Sequence, residues 1–510
     1  MILLNVTLFL PLAGFLVLLF TPRDRTRLVR AAALGFAIAA FVCSVALLAL
    51  YNRDEAGFQL VSNWPWIDTP AIRFHIGIDG LSVWLVLLTT LLTPIGILVS
   101  WRHISARVKE FFLFFLLMEF GLIGVFIALD LFLFYVFWEL SLVPMYFLIG
   151  VWGHERRVYA AVKFFIYTTV GSLMMLAAII YLYTRTGTFD YTALAGMIAS
   201  GQLQFTGLQE ALLFGGFFLA FAIKVPLFPL HTWLPDAHVE APTAGSVMLA
   251  SVMLKMGCYG LIRFCLPLFP RASRDFAPWI VALAITGIIY GALVALVQPN
   301  MKKLVAYTSV SHLGFVVLGV FTFTQYGLDG AVYQMLNHGI STGALFILVG
   351  YLYERKHSLE IADFGGVAGA APWLATAFAV TSLASMGLPT LNNFVGEYLV
   401  LQGTALVSME WVAFAAIGVI LSAAYMLWLY QRVFYGDTPE AVRAHVGDMA
   451  PREWAAIVPL IVMMVWMGIY STSFLPPISR TTSDILERTR VGVVFRVQNT
   501  QPAAEVADAR

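Results

Sequence analysis

Ala220-Phe221-Ala222-Ile223-Lys224-Val225-Pro226-Leu227-Phe228-Pro229 sets a lysine inside an apolar run and follows it at once with two prolines. Proline removes a backbone donor and clashes with the preceding turn, so a helix carrying Lys224 must break here. The apolar run continues to Trp233-Leu234, which puts the lysine too deep to snorkel to a surface. Irregular backbone at membrane depth persists only inside protein or beside a water-filled cavity. This stretch therefore predicts a membrane-spanning helix interrupted beside a buried ionisable group.

The rest of the 510-residue chain agrees. It is 60% hydrophobic and 12% charged, where ordinary soluble domains carry roughly 25% charged residues. So little polar surface cannot cover a soluble fold, and lipid is the remaining solvent. Apolar runs long enough to cross a bilayer as helices fall at about 2–20, 29–50, 79–100, 111–129, 131–152, 161–184, 209–235, 243–266, 277–297, 301–322, 328–353, 372–408, 411–434 and 453–475. The expected fold is an all-α polytopic membrane protein of about 14 transmembrane helices. Met1-Ile2-Leu3-Leu4 has no basic flank and no small-residue cleavage site, so 2–20 is expected to be a retained first span. Gly77-Ile78-Asp79-Gly80-Leu81-Ser82 suits the start of the third, with Asp79 and Ser82 satisfying open amides.

Several function classes fall away. A net charge of +1 makes no electrostatic case for nucleic acid. Cys43, Cys258 and Cys265 lie in apolar runs without metal or cluster spacing. No phosphate-binding loop, dinucleotide fingerprint or H-E-x-x-H pattern occurs. No redox cofactor, nucleotide chemistry or metal is expected in this chain.

Loop charge predicts orientation. With the N-terminus outside, the cytoplasmic connections hold Arg23, Arg25, Arg27, Arg30, Arg102, Arg107, Lys109, Arg156, Arg157, Lys163, Lys302, Lys303, Arg355, Lys356, Arg432, Arg443 and Arg452. The opposite connections hold Arg53, Arg73, Arg185, Arg263, Arg271 and Arg274. Both termini are thus expected on the outer, periplasmic side of a bacterial inner membrane. His154, Glu155, Arg156 and Arg157 read as a solvated cytoplasmic loop.

Charges at membrane depth cost roughly 2.5–3.5 kcal/mol each, so each asks for a task. Glu139 lies about eight residues, roughly 12 Å, into the fifth span. Lys224 stands at the break in the seventh. Lys255 is near the centre of the eighth. Glu397 follows Gly387-Leu388-Pro389 in the twelfth, a run of about 37 residues that reads as two half-helices. His231, His312 and His338 lie in or beside apolar helices and suit a proton relay. Glu119 is a further buried carboxylate. Two interrupted helices are the mark of internal inverted repeats with an ion site near the midplane. The expected division is 1–110 with helices 1–3, a first repeat at 111–266 (helices 4–8), a second at 277–434 (helices 9–13), helix 14 at 453–475 and a polar C-terminal tail at 476–510.

These groups suggest a mechanism. Glu139 and Lys224, about 5 Å apart at an effective dielectric of about 20, would attract by roughly 3 kcal/mol. The lysine holds its proton while Glu139 is charged and passes it on when that charge is neutralised or moves away. The proton then travels along water to Lys255 and through the histidines towards Glu397.

Pro229-Leu230-His231-Thr232-Trp233-Leu234-Pro235-Asp236-Ala237-His238-Val239-Glu240-Ala241-Pro242-Thr243 with Lys255-Met256-Gly257 resembles the signature of the antiporter-like subunits of respiratory complex I and of multisubunit Na⁺/H⁺ antiporters. Asp130-Leu131-Phe132, Phe137-Trp138-Glu139, Gln298-Pro299-Asn300-Met301-Lys302-Lys303-Leu304-Val305-Ala306-Tyr307 and Ser311-His312-Leu313-Gly314 match it too, and the resemblance covers nearly the whole chain. It implies that Glu139, Lys224, Lys255 and Glu397 fall on the family's proton path, with His312 and His338 as connecting histidines. Related subunits are similar to Gly-Phe-x-x-Lys where this chain has Glu397, so glutamate there resembles the branch called subunit M or chain 4. A tail of about 35 residues also lacks the long lateral helix of the largest sister subunit. The resemblance implies a proton-translocating membrane-arm subunit of NADH:quinone oxidoreductase, partnered by other membrane-arm subunits and by lipid. FMN, iron–sulfur clusters and quinone would sit in partner subunits. The alternatives are a Na⁺/H⁺ antiporter subunit and a passive membrane-arm scaffold.

Overall fold

Backbone amides in lipid must be satisfied within the chain, which favours helices. The computed structural model describes residues 1–489. In it, thirteen helices are individually long and apolar enough to cross a membrane. They are α1 (Ile2–Phe20), α2 (Thr26–Leu50), α3 (Ser82–His103), α4 (Val108–Ile127), α5 (Leu131–Trp152), α6 (Arg157–Thr186), α8 (Gly207–Lys224), α10 (Thr243–Leu268), α11 (Ala277–Leu296), α12 (Met301–Val320), α13 (Gln325–Lys356), α16 (Met409–Phe434) and α17 (Pro451–Ile469). The remaining expected crossing is two 14-residue helices, α14 (Pro372–Ser385) and α15 (Asn392–Ala405), each too short to cross alone. Between them Gly387 (φ 77°) and Thr390 (φ 79°) take left-handed backbone, which a glycine adopts without strain.

The seventh crossing is interrupted as the prolines require. Helix α8 ends at Lys224, a turn follows, and α9 (Trp233–Glu240) completes the passage. The eighth was expected to be one plain helix. Inside α10, two stretches instead widen to π-helical turns, Leu249–Met253 and Leu261–Cys265, on either side of Lys255. Local capping sets the starts. Asp130 accepts from Phe132 N and Leu133 N at 2.9 and 3.0 Å. Thr206 and Gln209 form a reciprocal capping box on α8. Asp79 accepts from Ser82 N at 2.9 Å, as the sequence suggested.

Two elements were not expected. A hairpin, β1 (Gln59–Ile67) with antiparallel β2 (Ile72–Ile78), lies over the ends of α1, α4 and α5. Its contacts include Asn5 Nδ2 to Ser62 Oγ at 2.7 Å and Leu129 N to the His75 carbonyl at 2.8 Å. A short helix, α7 (Tyr191–Ala199), lies beside it, capped by Asp190. The expected polar tail also needs correction. Its first part belongs to helix α18 (Leu475–Thr489), which buries Ile478, Thr482, Ile485 and Leu486. The polar face alone had made it look like a tail. Residues 490–510 of that expected tail lie outside the described residues.

The burial gradient runs from rim to centre. A third or less of α1, α2 and α17 is buried, against the whole of α10 and most of α13. Helix α13 is buried without a gap from Gly327 to Leu352 although it carries Gln334, Asn337, His338, Ser341 and Thr342. It is the central pillar of the molecule, and its polar side chains meet other protein groups instead of lipid. Close approach depends on small residues. A Cβ on Gly257 would lie 2.7 Å from the Phe221 carbonyl, so α10 meets the end of α8 backbone to backbone.

Candidate functional site

Along the central pillar four ionisable groups form a line. The Lys255 ammonium donates to the Ala250 carbonyl at 2.6 Å and lies 2.6 Å from His338 Nδ1. Ala250 lies within the first π turn of α10. With the lysine donating, His338 Nδ1 accepts, and its proton sits on Nε2. The His338 and His312 ring centres are 5.9 Å apart. His312 Nδ1 then meets Glu397 Oε1 at 2.7 Å, while Tyr425 Oη lies 3.3 Å from His312 Nε2. Lys255, His338, His312 and Glu397 are at most 3% exposed.

Amides hold the far end of the line. Gln334 Nε2 donates to Glu397 Oε1 at 3.1 Å, and Asn337 Nδ2 donates to Gln334 Oε1 at 3.2 Å. Asn337 also donates to the Asn392 carbonyl at 2.9 Å, and Asn392 donates back to the Asn337 carbonyl at 3.2 Å. The helix break is thereby fastened to α13. Glu397 Oε2 faces the break itself: a Cβ on Gly387 would lie 3.2 Å from it.

The other half is arranged differently. Lys224 is fully buried, and its ammonium has no protein hydrogen-bond partner. It lies 5.0 Å from the Phe164 ring centre and 5.8 Å from that of Trp138. Glu139 is half-buried, and no ion pair joins it to Lys224 among the described residues. Glu139 and Lys224 are thus not in direct ionic contact, and the faces of Trp138 on α5 and Phe164 on α6 are beside the ammonium. His231 is buried in the turn after Lys224, boxed by Phe228, Tyr290 and Tyr307, with both ring nitrogens unpaired. The structure does not join it to the line by hydrogen bonds.

Sequence reasoning missed several groups. His238 is fully buried, stacks on Phe346 at 4.5 Å and leaves both ring nitrogens unpaired. Lys302, counted above as a loop cation, is 1% exposed and donates to the Ala241 carbonyl at 2.8 Å. Arg263, counted among the opposite loops, is likewise buried. Glu119, by contrast, was expected as a buried carboxylate, and it is fully buried with both oxygens unpaired. Glu155, Arg156 and Arg157 are exposed as expected, but His154 is half-buried. Burial first, then the charges of Lys302 and His103, hold His154 down at about 4. The only signal in the sequence was that Lys302 and Arg263 adjoin apolar runs.

Among the described residues no group of three or more His, Cys, Asp or Glu could hold a metal ion. The arrangement can hold protons, pass them between groups in contact, and alter that passage by small shifts around Lys224.

Comparison with known proteins follows the same lines. Residues 128–423 match the family described as NADH:quinone oxidoreductase/Mrp antiporter, transmembrane. The chain is 45% identical over 480 residues to NADH-quinone oxidoreductase subunit M of Rhodobacter capsulatus, covering 92% of this chain and 93% of that protein. It superposes on a chain of respiratory complex I from Thermus thermophilus with a TM-score of 0.87 at 33% identity, covering 95% of this chain and 99% of that one. A chain of the Mrp complex from a Dietzia species shares the fold, with a TM-score of 0.83 at 21% identity over 96% of this chain and 99% of that one.

Proposed function

This chain belongs to the NADH:quinone oxidoreductase/Mrp antiporter transmembrane family, and from that membership we propose how its buried groups carry protons. It is a multi-pass membrane-arm subunit of the subunit M kind in a proton-translocating NADH:quinone oxidoreductase, partnered by other membrane-arm subunits. FMN, iron–sulfur clusters and quinone belong to partner subunits on this reading, and the chain itself does no redox chemistry.

The observation that carries the reading is the line Lys255–His338–His312–Glu397. His338 takes a proton from Lys255 on Nδ1 and releases the one on Nε2, so charge passes without the ring turning. His312 receives it on Nε2, the side shared with Tyr425, and hands its Nδ1 proton to Glu397 Oε1. Lys224 and Glu139 form the switch on the other side. An ammonium with only aromatic faces near it is poorly held, and the distance of Glu139 decides whether it keeps its proton. Water bridging Lys224 to Lys255, and His231 beside the broken seventh helix, supply the passage between the halves.

The two halves are helices α4–α10 and α11–α16, read as inverted repeats because each contains an interrupted helix beside an ionisable group. Both termini and the hairpin face the periplasm on this reading, and the basic connections face the cytoplasm of a bacterial inner membrane.

The test replaces His338 by Gln, which can still accept from Lys255 but cannot pass a proton on. In vesicles containing the assembled complex, NADH-driven proton uptake per electron should fall. An unchanged ratio would sink the proposed line. Uptake driven by NADH and quinone, and not by a Na⁺ gradient, separates this reading from an antiporter.

A further inference from the structure

Helix α8 carries two adjacent glycines, and packing within the chain explains only one of them. A Cβ on Gly216 would lie 2.9 Å from the Met174 carbonyl, so that glycine lets α8 approach α6 backbone to backbone. A Cβ on Gly215 would meet nothing within 4 Å. A glycine inside a helix costs stability relative to alanine, and no neighbour in the fold needs this one. Gly215 lies between two grooves. One, of about 490 Å³, runs between α8 and α6 and is lined by Met174, Ala178, Tyr181, Leu212, Gly216 and Leu219. The other, of about 250 Å³, runs between α8 and α11 and is lined by Phe214, Phe218, Phe276, Trp279 and Leu283. Ala211 and Gly215 line both.

Length and charge indicate the occupant. Along α8 the grooves reach from Gln209 to Leu219, a rise of roughly 15 Å. That is the depth of one leaflet of a core about 30 Å thick. A spanning helix of a partner would need a groove of the full thickness. The shallow ends lie at the start of α8, which follows α7 on the hairpin face. Here the lining turns polar. Gln209 Nε2 donates to Tyr181 Oη at 3.1 Å. The Arg271 guanidinium rests over Gly207, with Nη2 3.6 Å from where a Cβ would stand. Its side chain is 69% exposed, and the carboxylate beside it, Asp275 Oδ2, stands 3.7 Å from Nε. Glu210 is turned to the Arg271 and Ala272 amides, from which Oε1 accepts at 2.9 and 3.1 Å. An arginine fork at the mouth of an apolar groove matches a phosphate above acyl chains.

We propose that these grooves hold one diacyl phospholipid of the hairpin-side leaflet, with its phosphate at Arg271 and its two chains passing on either side of Gly215. The lipid packs α8, whose far end carries Lys224, between α6 and α11.

The site is tested by photolabelling. The assembled complex is reconstituted in phosphatidylglycerol vesicles that contain some of the same lipid with a photoreactive group at mid-chain. After illumination, the label is mapped by peptide mass, and the wild type should carry it at Gly215–Leu219 and on the facing stretch of α6. Arg271→Gln should cut that label roughly tenfold, about the factor one charge-assisted hydrogen bond is worth. Gly215→Phe fills both grooves and should abolish the label with Arg271 intact, while Gly215→Ala leaves them open and should label as the wild type does. Where Gly215→Phe fails to assemble, Arg271→Gln, an exposed substitution, carries the test. No label in the wild type would give the grooves to a protein neighbour, and label unmoved by either variant would mark ordinary boundary lipid. Either result would overturn the proposal.

Discussion

At the scale of single residues, the site depends on which atoms touch. Lys224→Ala removes an ammonium that makes no protein hydrogen bond, so assembly should survive while protons moved per electron fall. A normal proton-to-electron ratio would refute its part in the relay. Asn337→Leu acts differently, because it strands the Gln334 amide oxygen and the Asn392 carbonyl. Leaving buried polar groups unpaired costs roughly 1–3 kcal/mol. The thermal midpoint of the assembled complex should drop, and pumping should weaken as Glu397 loses its brace. Loss of pumping with no change in thermal stability would argue against a brace.

At the scale of elements, the π turns and the breaks set side-chain direction. Helix α10 widens immediately before Lys255, and the lysine reaches back to the Ala250 carbonyl. Deleting Val252 takes out the one residue that the wide turn absorbs, so α geometry should return with the helix beyond it in register. The Ala250 carbonyl is then taken by the backbone four residues on, the Lys255 ammonium loses that acceptor, and pumping should fail in a complex that still assembles. Retained pumping would show that the π turn has no part in aiming the lysine. Gly257→Val tests the contact between α10 and α8. Its Cβ would meet the Phe221 carbonyl at 2.7 Å, and backbone cannot swing aside. Overpacking of this kind costs roughly 1–3 kcal/mol, so less assembled complex should be recovered from membranes.

At the scale of the whole molecule, the hairpin is tied to the spans by a charged cluster. His75 Nδ1 meets Asp190 Oδ2 at 2.7 Å, and Asp190 also accepts from Thr192 Oγ1 and Ala193 N. Burial pushes the Asp190 carboxyl up, but these contacts outweigh it and hold the group at about 2. An aspartate held below its ordinary value of about 3.9 adds stability above that pH and loses it as pH falls towards 2. Once divided by the intrinsic rate, which itself falls as pH drops from 4, hydrogen exchange in Ile72–Ile78 should therefore show protection being lost between pH 4 and 2. Asp190→Asn should show raised exchange already at pH 5 and no added step in that window. A step of equal size in both proteins would remove Asp190 from the tie. The sequence by itself determined the membrane class, the placing of Glu139, Lys224, Lys255 and Glu397 within apolar runs, and the breaks beside Pro226 and Gly387. Those follow from hydropathy and proline geometry, which act within a few residues. Only the tertiary structure decided that Lys255 meets His338, 83 residues away, and that His312 meets Glu397, 85 residues away. It also left Glu139 and Lys224 without a direct ion pair and buried Lys302 and Arg263, because contacts between distant helices are set by how their side chains fill the space between them.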